Sequence, residues 1–114
     1  MIDFACKKFD LDEVVKCILM LSKSEFRILK FLAEHDGKFT TENLSKKLNL
    51  DKSSIQRSIK KLHEKNLVVR SQANQSVGGY LFLYRIKDKN LIKKMVTDML
   101  GGWVETFKKK LSGW

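Results

Sequence analysis

The sequence predicts a mainly α-helical domain carrying one small β-hairpin, and three observations predict it. Apolar residues recur at helical spacing in five stretches, most of them opened by a recognisable capping residue. Two short runs rich in β-branched and aromatic residues, Leu67–Arg70 and Tyr80–Ile86, flank a polar segment that ends in Gly78-Gly79. The chain has 114 residues, 43% apolar and 32% charged, with no proline, so it can enclose one core and has no break to divide it. That composition excludes a disordered segment.

The first helix is expected from about Leu11 to Met20, with Asp10 as N-cap and Asp12 and Glu13 in the first turn, where the helix dipole favours acids. Val14, Val15, Ile18, Leu19 and Leu21 give it a wide apolar face. Ser22 followed three residues later by Glu25 is a capping box, and Phe26, Ile28, Leu29, Phe31 and Leu32 carry a second helix, Ser24 to His35, until Asp36-Gly37 ends it. Thr40 or Thr41 can cap a short third helix with Leu44 and Leu48 inward. Asn49-Leu50-Asp51 makes a tight turn, and Asp51 caps a fourth helix in which Ile55, Ile59 and Leu62 fall at i, i+4 and i+7 before Lys65-Asn66. Two such helices on a short turn are a helix-turn-helix pattern. The strands follow, with Gln72 to Gly79 as a long loop between them. From Asp88 the chain returns to helix through Leu91, Ile92, Met95, Val96, Met99, Leu100, Trp103, Val104, Phe107 and Leu111. Gly101-Gly102 should interrupt it, and the apolar stripe rotates there in the sense of a kink.

Charge is distributed unevenly. The chain has 23 Lys and Arg against 13 Asp and Glu, a net +10. Residues 1–21 carry three lysines against four acids, residues 22–66 carry 11 basic groups against six acids, and residues 87–114 carry seven against three. An excess that begins only after the first helix suits a centre and tail that approach a polyanion; a Lys-rich solvated surface is the alternative.

Several chemistries are absent. Cys6 and Cys17 are too few for a disulfide framework, and with His35 and His63 they supply no metal-ligand spacing, so no metal or cofactor is implied. Cys17, in an apolar helical stretch, reads as a buried inert thiol, with a redox pair to Cys6 as the minority reading. No nucleophile-base set, carboxylate pair or phosphate-binding glycine loop is visible, so no enzyme is expected. No run of about 18 uncharged apolar residues occurs, and Asp3 stands where a secretory signal needs a basic region. A cytoplasmic location is expected.

The fourth helix, about residues 52–65, has a competent groove-reading surface. With Ile55, Ile59 and Leu62 inward, Ser53, Arg57, Lys60, Lys61 and Glu64 lie on the opposite face, flanked by Ser54 and Gln56. Ser and Gln can read base edges, Arg can fork onto guanine and Lys can meet phosphates. A solvated helix with Ser53 and Ser54 as mere helix-start residues is the competing reading. Thr41, at the start of the third helix, joins the candidate DNA-contact set. The loop tip Ala73-Asn74-Gln75-Ser76-Val77 has no cation, so the hairpin, residues 70–80, can contribute only Arg70 on the strand and hydrogen bonds from Asn74 and Gln75. Most of Tyr80, Phe82, Tyr84 and Ile86, which share one face, read as core rather than as a base-stacking platform.

Leu21-Ser22-Lys23-Ser24-Glu25, the Leu32 to Gly37 helix end, Phe39-Thr40-Thr41-Glu42-Asn43-Leu44, Leu48 to Leu62 and Lys65-Asn66-Leu67-Val68-Val69-Arg70 together resemble the winged helix-turn-helix regulators of the MarR and TrmB type, small stand-alone archaeal members above all. The resemblance spans about residues 18–86. Asn66 stands where those proteins usually have Gly, and Asn also accepts the left-handed conformation. The resemblance implies a dimeric transcription regulator that binds double-stranded DNA; a small-molecule effector would need a cleft that sequence does not display.

A helix over residues 88–111 would be about 36 Å long, more than a domain of this size needs, so part of it must cover something else. A second copy of the chain is the simplest partner, with Val14, Ile18, Leu91, Met95, Met99, Trp103, Phe107 and Leu111 at the interface. A basic amphipathic helix with Trp103, Trp114 and Lys108-Lys109-Lys110 could instead lie on a membrane surface. The integrated expectation is one domain, 1–114: an N-terminal helix in 1–21, a winged helix-turn-helix core in 22–86 and a C-terminal dimerisation helix in 87–114. A sequence-neutral chromatin-type DNA binder and a winged-helix protein-interaction module are the alternatives.

Overall fold

The computed structural model describes residues 2–4, 7–75 and 78–114, and side chains from residue 10 onward within those ranges. The chain forms two compact units: Met1–Leu21 with Asn90–Trp114, and Ser22–Lys89.

The first unit opens with a hairpin that the sequence did not announce. Strands β1 (Ile2–Phe4) and β2 (Lys7–Phe9) pair antiparallel, with Ile2 opposite Phe9 and Phe4 opposite Lys7. Cys6 lies outside the described residues. Helix α1 (Leu11–Ile18) starts as expected, the Asp10 carboxylate accepting the Asp12 N–H at 2.9 Å. It stops two residues short of Met20, which adopts a left-handed φ of 56° while the Leu21 N–H turns back to the Lys16 carbonyl. Ile18, Leu19 and Leu21 are buried, but Cys17 is exposed, correcting the reading of a buried thiol. Its position on α1 explains the error: the buried side is set by Ile18, and one residue earlier is about 100° round the helix.

Helix α5 (Lys89–Ser112) is continuous through Gly101-Gly102, so the glycines do not interrupt it. Backbone hydrogen bonds of the helix do not require a side chain, and two glycines within 24 residues reduce stability without removing a bond. None of its residues is fully buried, and Leu91, Leu100, Trp103, Val104, Phe107 and Leu111 are all exposed.

In the second unit, α2 (Lys23–Glu34) begins in the expected capping box: the Ser22 hydroxyl accepts the Glu25 N–H at 3.2 Å and Glu25 Oε1 accepts the Ser22 N–H at 3.4 Å. Gly37, at φ 111°, supplies the turn after its end. Helix α3 (Thr41–Leu48) starts in a second box, in which Thr40 Oγ1 accepts from the Asn43 N–H and Asn43 returns the bond. Asn49 in the left-handed region closes it, and Arg27 reaches across from α2 to donate to the Leu48 carbonyl at 2.7 Å. Helix α4 (Lys52–Glu64) buries Ile55, Ile59 and Leu62 as expected, and also Ser58. It packs on α2 and α3, whose Ile28, Leu29, Leu32 and Leu44 complete the core. Asn66 adopts φ 61°, the left-handed conformation inferred for it.

The hairpin is longer than the sequence suggested. Strands β3 (Val68–Asn74) and β4 (Tyr80–Ile86) pair from Val68–Ile86 out to Asn74–Tyr80, so Gln72 to Asn74, read as loop, are strand. Pairing with the aromatic run opposite imposes the extended conformation on residues with little strand preference of their own. Phe39 adds a third, single-residue contribution: its N–H donates to the Tyr84 carbonyl at 2.9 Å and its carbonyl accepts the Tyr84 N–H at 2.8 Å.

Candidate nucleic-acid interface

The exposed side of α4 carries the residues the sequence picked. Ser53, Gln56, Arg57, Lys60, Lys61 and Glu64 are all exposed, while Ser54 is half-buried at the edge. Arg57, Lys60 and Lys61, with Lys52 at the helix start, make this face positive, and the helix beneath holds it at one orientation.

The start of α4 departs from the expected cap. Asp51 occupies the N-cap position, but its carboxylate accepts from the Ser54 hydroxyl at 2.5 Å instead of from a backbone N–H. Ser54 Oγ in turn accepts from an Arg57 guanidinium N–H at 3.4 Å. Asp51, Ser54 and Arg57 thus form a short chain along one flank, which orients Arg57 before any ligand arrives. The Ser54 hydrogen bond holds the Asp51 carboxyl below its ordinary value against a smaller opposing effect of desolvation, and the Arg57 charge acts in the same sense as Ser54. This relay escaped the sequence reading, although D-x-x-S-x-x-R at helical spacing is the signal that could have revealed it.

Thr41 is half-buried in the first turn of α3, close in sequence to the capping pair. On the hairpin, Arg70 is exposed, yet its guanidinium stacks over the Phe82 ring at 4.3 Å, with Tyr80 edge-on to Phe82 at 5.2 Å. Asn74 and Gln75 are exposed at the tip, where the Gln75 N–H donates to the Gly79 carbonyl; Ser76 and Val77 of the expected tip lie outside the described residues. Tyr84 is core, but Tyr80 is 55% exposed, so the aromatic face is buried at its base only.

The residues expected at a subunit interface divide. Leu91, Trp103, Phe107 and Leu111 are exposed, and Val14, Met95 and Met99 are half-buried. Ile18 is 1% exposed and is therefore covered within its own chain, unavailable to a partner. Among the described residues no cluster of ligating side chains could hold a metal ion, and no helix is long and apolar enough to cross a membrane.

Helix, helix, turn, helix and a β-hairpin wing, with a basic face on α4, define a winged helix-turn-helix DNA-binding protein of the transcription-regulator class. The MarR family model matches residues 21–76. A solved structure described as a possible transcriptional regulator from Methanosarcina mazei Go1 is 42% identical, with a TM-score of 0.90, over 100% of this chain and 96% of that one. The chain belongs to the MarR family and is a transcription regulator of that family. Uncharacterized protein MJ1082 of Methanocaldococcus jannaschii is 27% identical over 93% of this chain and 87% of its own length. A MepR variant from S. aureus, solved bound to an oligodeoxyribonucleotide, shares the fold at 14% identity and a TM-score of 0.58, over 90% of this chain and 72% of that one.

Proposed function

We propose that the protein acts as a homodimer that recognises a specific double-stranded DNA sequence, with α4 in the major groove and the β3–β4 wing beside the minor groove. The observation that carries this reading is the exposed face of α4, where Ser53, Gln56, Arg57, Lys60 and Lys61 stand opposite the buried Ile55, Ile59 and Leu62. Arg57 and Gln56 read base edges; Lys60 and Lys61 neutralise phosphates. Ser53, Ser54 and Thr41 add short polar contacts at the helix starts, Ser54 chiefly by holding Arg57. The wing contributes less, through Arg70, Asn74 and Gln75, because Arg70 already rests on Phe82. The oligonucleotide bound by the MepR variant, a protein of the same fold, supports the ligand class.

Dimerisation places the exposed Leu91, Trp103, Phe107 and Leu111 of α5, with Val14, Met95 and Met99, against a second copy. Exposed apolar side chains at helical spacing on a 24-residue helix support that assignment. Selection from a random duplex library at about 150 mM salt, where screening weakens purely electrostatic binding, tests the whole reading. The expected result is an inverted repeat with half-sites about one helical turn apart. A bound pool without enrichment would replace this reading by a sequence-neutral chromatin-type binder.

A further inference from the structure

At the start of α4 one acid stands on an otherwise basic face. From Asp51 to Glu64 the only acids are those two end residues, so the first turns set a single carboxylate among Lys52, Arg57, Lys60 and Lys61. Asp51 is exposed, and although aspartate is among the best N-cap residues, its side chain takes the Ser54 hydroxyl at 2.5 Å in place of the usual cap bond. Ser54 Oγ accepts in turn from Arg57 Nη2 at 3.4 Å, so carboxylate and guanidinium lie no farther apart than those two bonds laid end to end. Base pairs are spaced about 3.4 Å along a duplex, which brings the two groups to the same pair or to adjacent ones.

Donors and acceptors are divided between them. The Ser54 hydrogen goes to Asp51, which leaves Ser54 no donor for a base; Arg57 keeps its other N–H groups, and the carboxylate has acceptor sites only. The Ser54 hydrogen bond holds the Asp51 carboxyl below the ordinary carboxylate range, so it is an anion at neutral pH. In the major groove guanine offers two acceptors, cytosine a donor, adenine a donor beside an acceptor, and thymine an acceptor beside a methyl group. An acceptor-only anion is therefore matched by cytosine N4, opposed by N7 beside adenine N6, and left without a donor on guanine or thymine. A guanidinium forked onto guanine covers the edge of that pair, so the carboxylate stands over the next one.

We propose that Asp51 is a specificity-determining residue, accepting a hydrogen bond from N4 of a cytosine in the base pair next to the guanine read by Arg57. The assignment rests on the reading that α4 enters the major groove, where the first residues of such a helix face base edges. It gives a side chain expected only to cap a helix a part in choosing the sequence. It also names a piece of the operator, since each half-site then holds a guanine with a contacted cytosine one pair away.

The test is selection from a random duplex library with wild type, Asp51→Asn and Asp51→Ser in parallel. Asparagine and serine cap helices as well as aspartate does, so both variants keep α4. Wild type should enrich a cytosine next to a recurrent guanine. Asp51→Ser should lower the preference for that cytosine about tenfold and leave the guanine in place. Asp51→Asn, whose amide matches adenine N6 and N7, should lose the cytosine too, with adenine rising at the same position. Loss of the cytosine with the guanine retained supports the contact. Identical motifs from all three proteins overturn it. If the guanine disappears along with the cytosine, Asp51 acts only by positioning Arg57, and the contact is overturned. A wild-type motif without a cytosine beside the guanine sinks the contact and leaves sequence-specific binding standing; no wild-type motif at all removes both.

Discussion

In the proposed reading base discrimination rests on Arg57, and the anchorage of that side chain bears on how it would act. A guanidinium held by Ser54, itself bonded to Asp51, loses less conformational freedom on docking than a free arginine does. Arg57→Ala is expected to flatten the difference in affinity between operator and random duplex, by about 1–3 kcal/mol per half-site, whereas Lys60→Ala weakens both alike. Equal weakening of both by Arg57→Ala, in a filter-binding comparison, would make Arg57 a phosphate clamp instead. The same relay has a pH signature. The folded-state value of Asp51 is depressed, so its contribution to the start of α4 is present above the unfolded value and is lost as pH falls through the folded one. The carbon-detected titration of Asp51 should therefore have a midpoint below that of an ordinary aspartate, and Ser54→Ala should move it upward. An unchanged midpoint in that variant would remove the hydroxyl as the cause.

At the scale of elements, helix starts were the most legible part of the chain. Ser22 with Glu25 and Asp10 before Leu11 carry local chemistry that determines where a helix begins, whatever packs on it later. Ser22→Ala should cost about 1 kcal/mol in chemical denaturation, and Thr40→Ala a similar amount. Features decided by distant residues were hidden. Ser71-Gln72-Ala73-Asn74 is strand because Tyr80 to Leu83 lies opposite, and the three-residue strands β1 and β2 are too short for alternation to show. Ser58 looks like one more polar residue on a basic helix until the packing of α2 on α4 buries it. The exposed basic face of α4 was readable because a single 3.6-residue period fixes both its inward and outward residues. Gly101-Gly102 misled because glycine is rare, not forbidden, inside helices. An added Cβ at either position meets nothing within 4 Å, so Gly101→Ala and Gly102→Ala should each stabilise α5 by about 1 kcal/mol. A lowered melting temperature in both would indicate that a neighbouring chain approaches the helix backbone there.

For the whole molecule, the question is what covers α5. Phe107 is 64% exposed in the single chain, and an apolar face of that extent on a basic helix is a surface awaiting company. Phe107→Glu is expected to convert a dimer to monomers in sedimentation velocity, and removal of residues 88–114 to yield monomers or insoluble protein. A well-behaved dimer after that removal would transfer the interface elsewhere. Loss of the dimer should also reduce affinity for an inverted repeat far more than for a single half-site, since only the pair gains from two linked contacts.

The reciprocal hydrogen bonds between Phe39 and Tyr84 join residues far apart in the chain. They close a circuit around α3, α4 and the wing, so the wing cannot detach without breaking a strand contact at the foot of the helix-turn-helix. In folding, such a closure forms late, after the local helices are in place. In the native protein it makes the two amides sensors of one event: Phe39 and Tyr84 should lose their hydrogen-exchange protection together, on the timescale at which the Ser22–Lys89 unit opens as a whole.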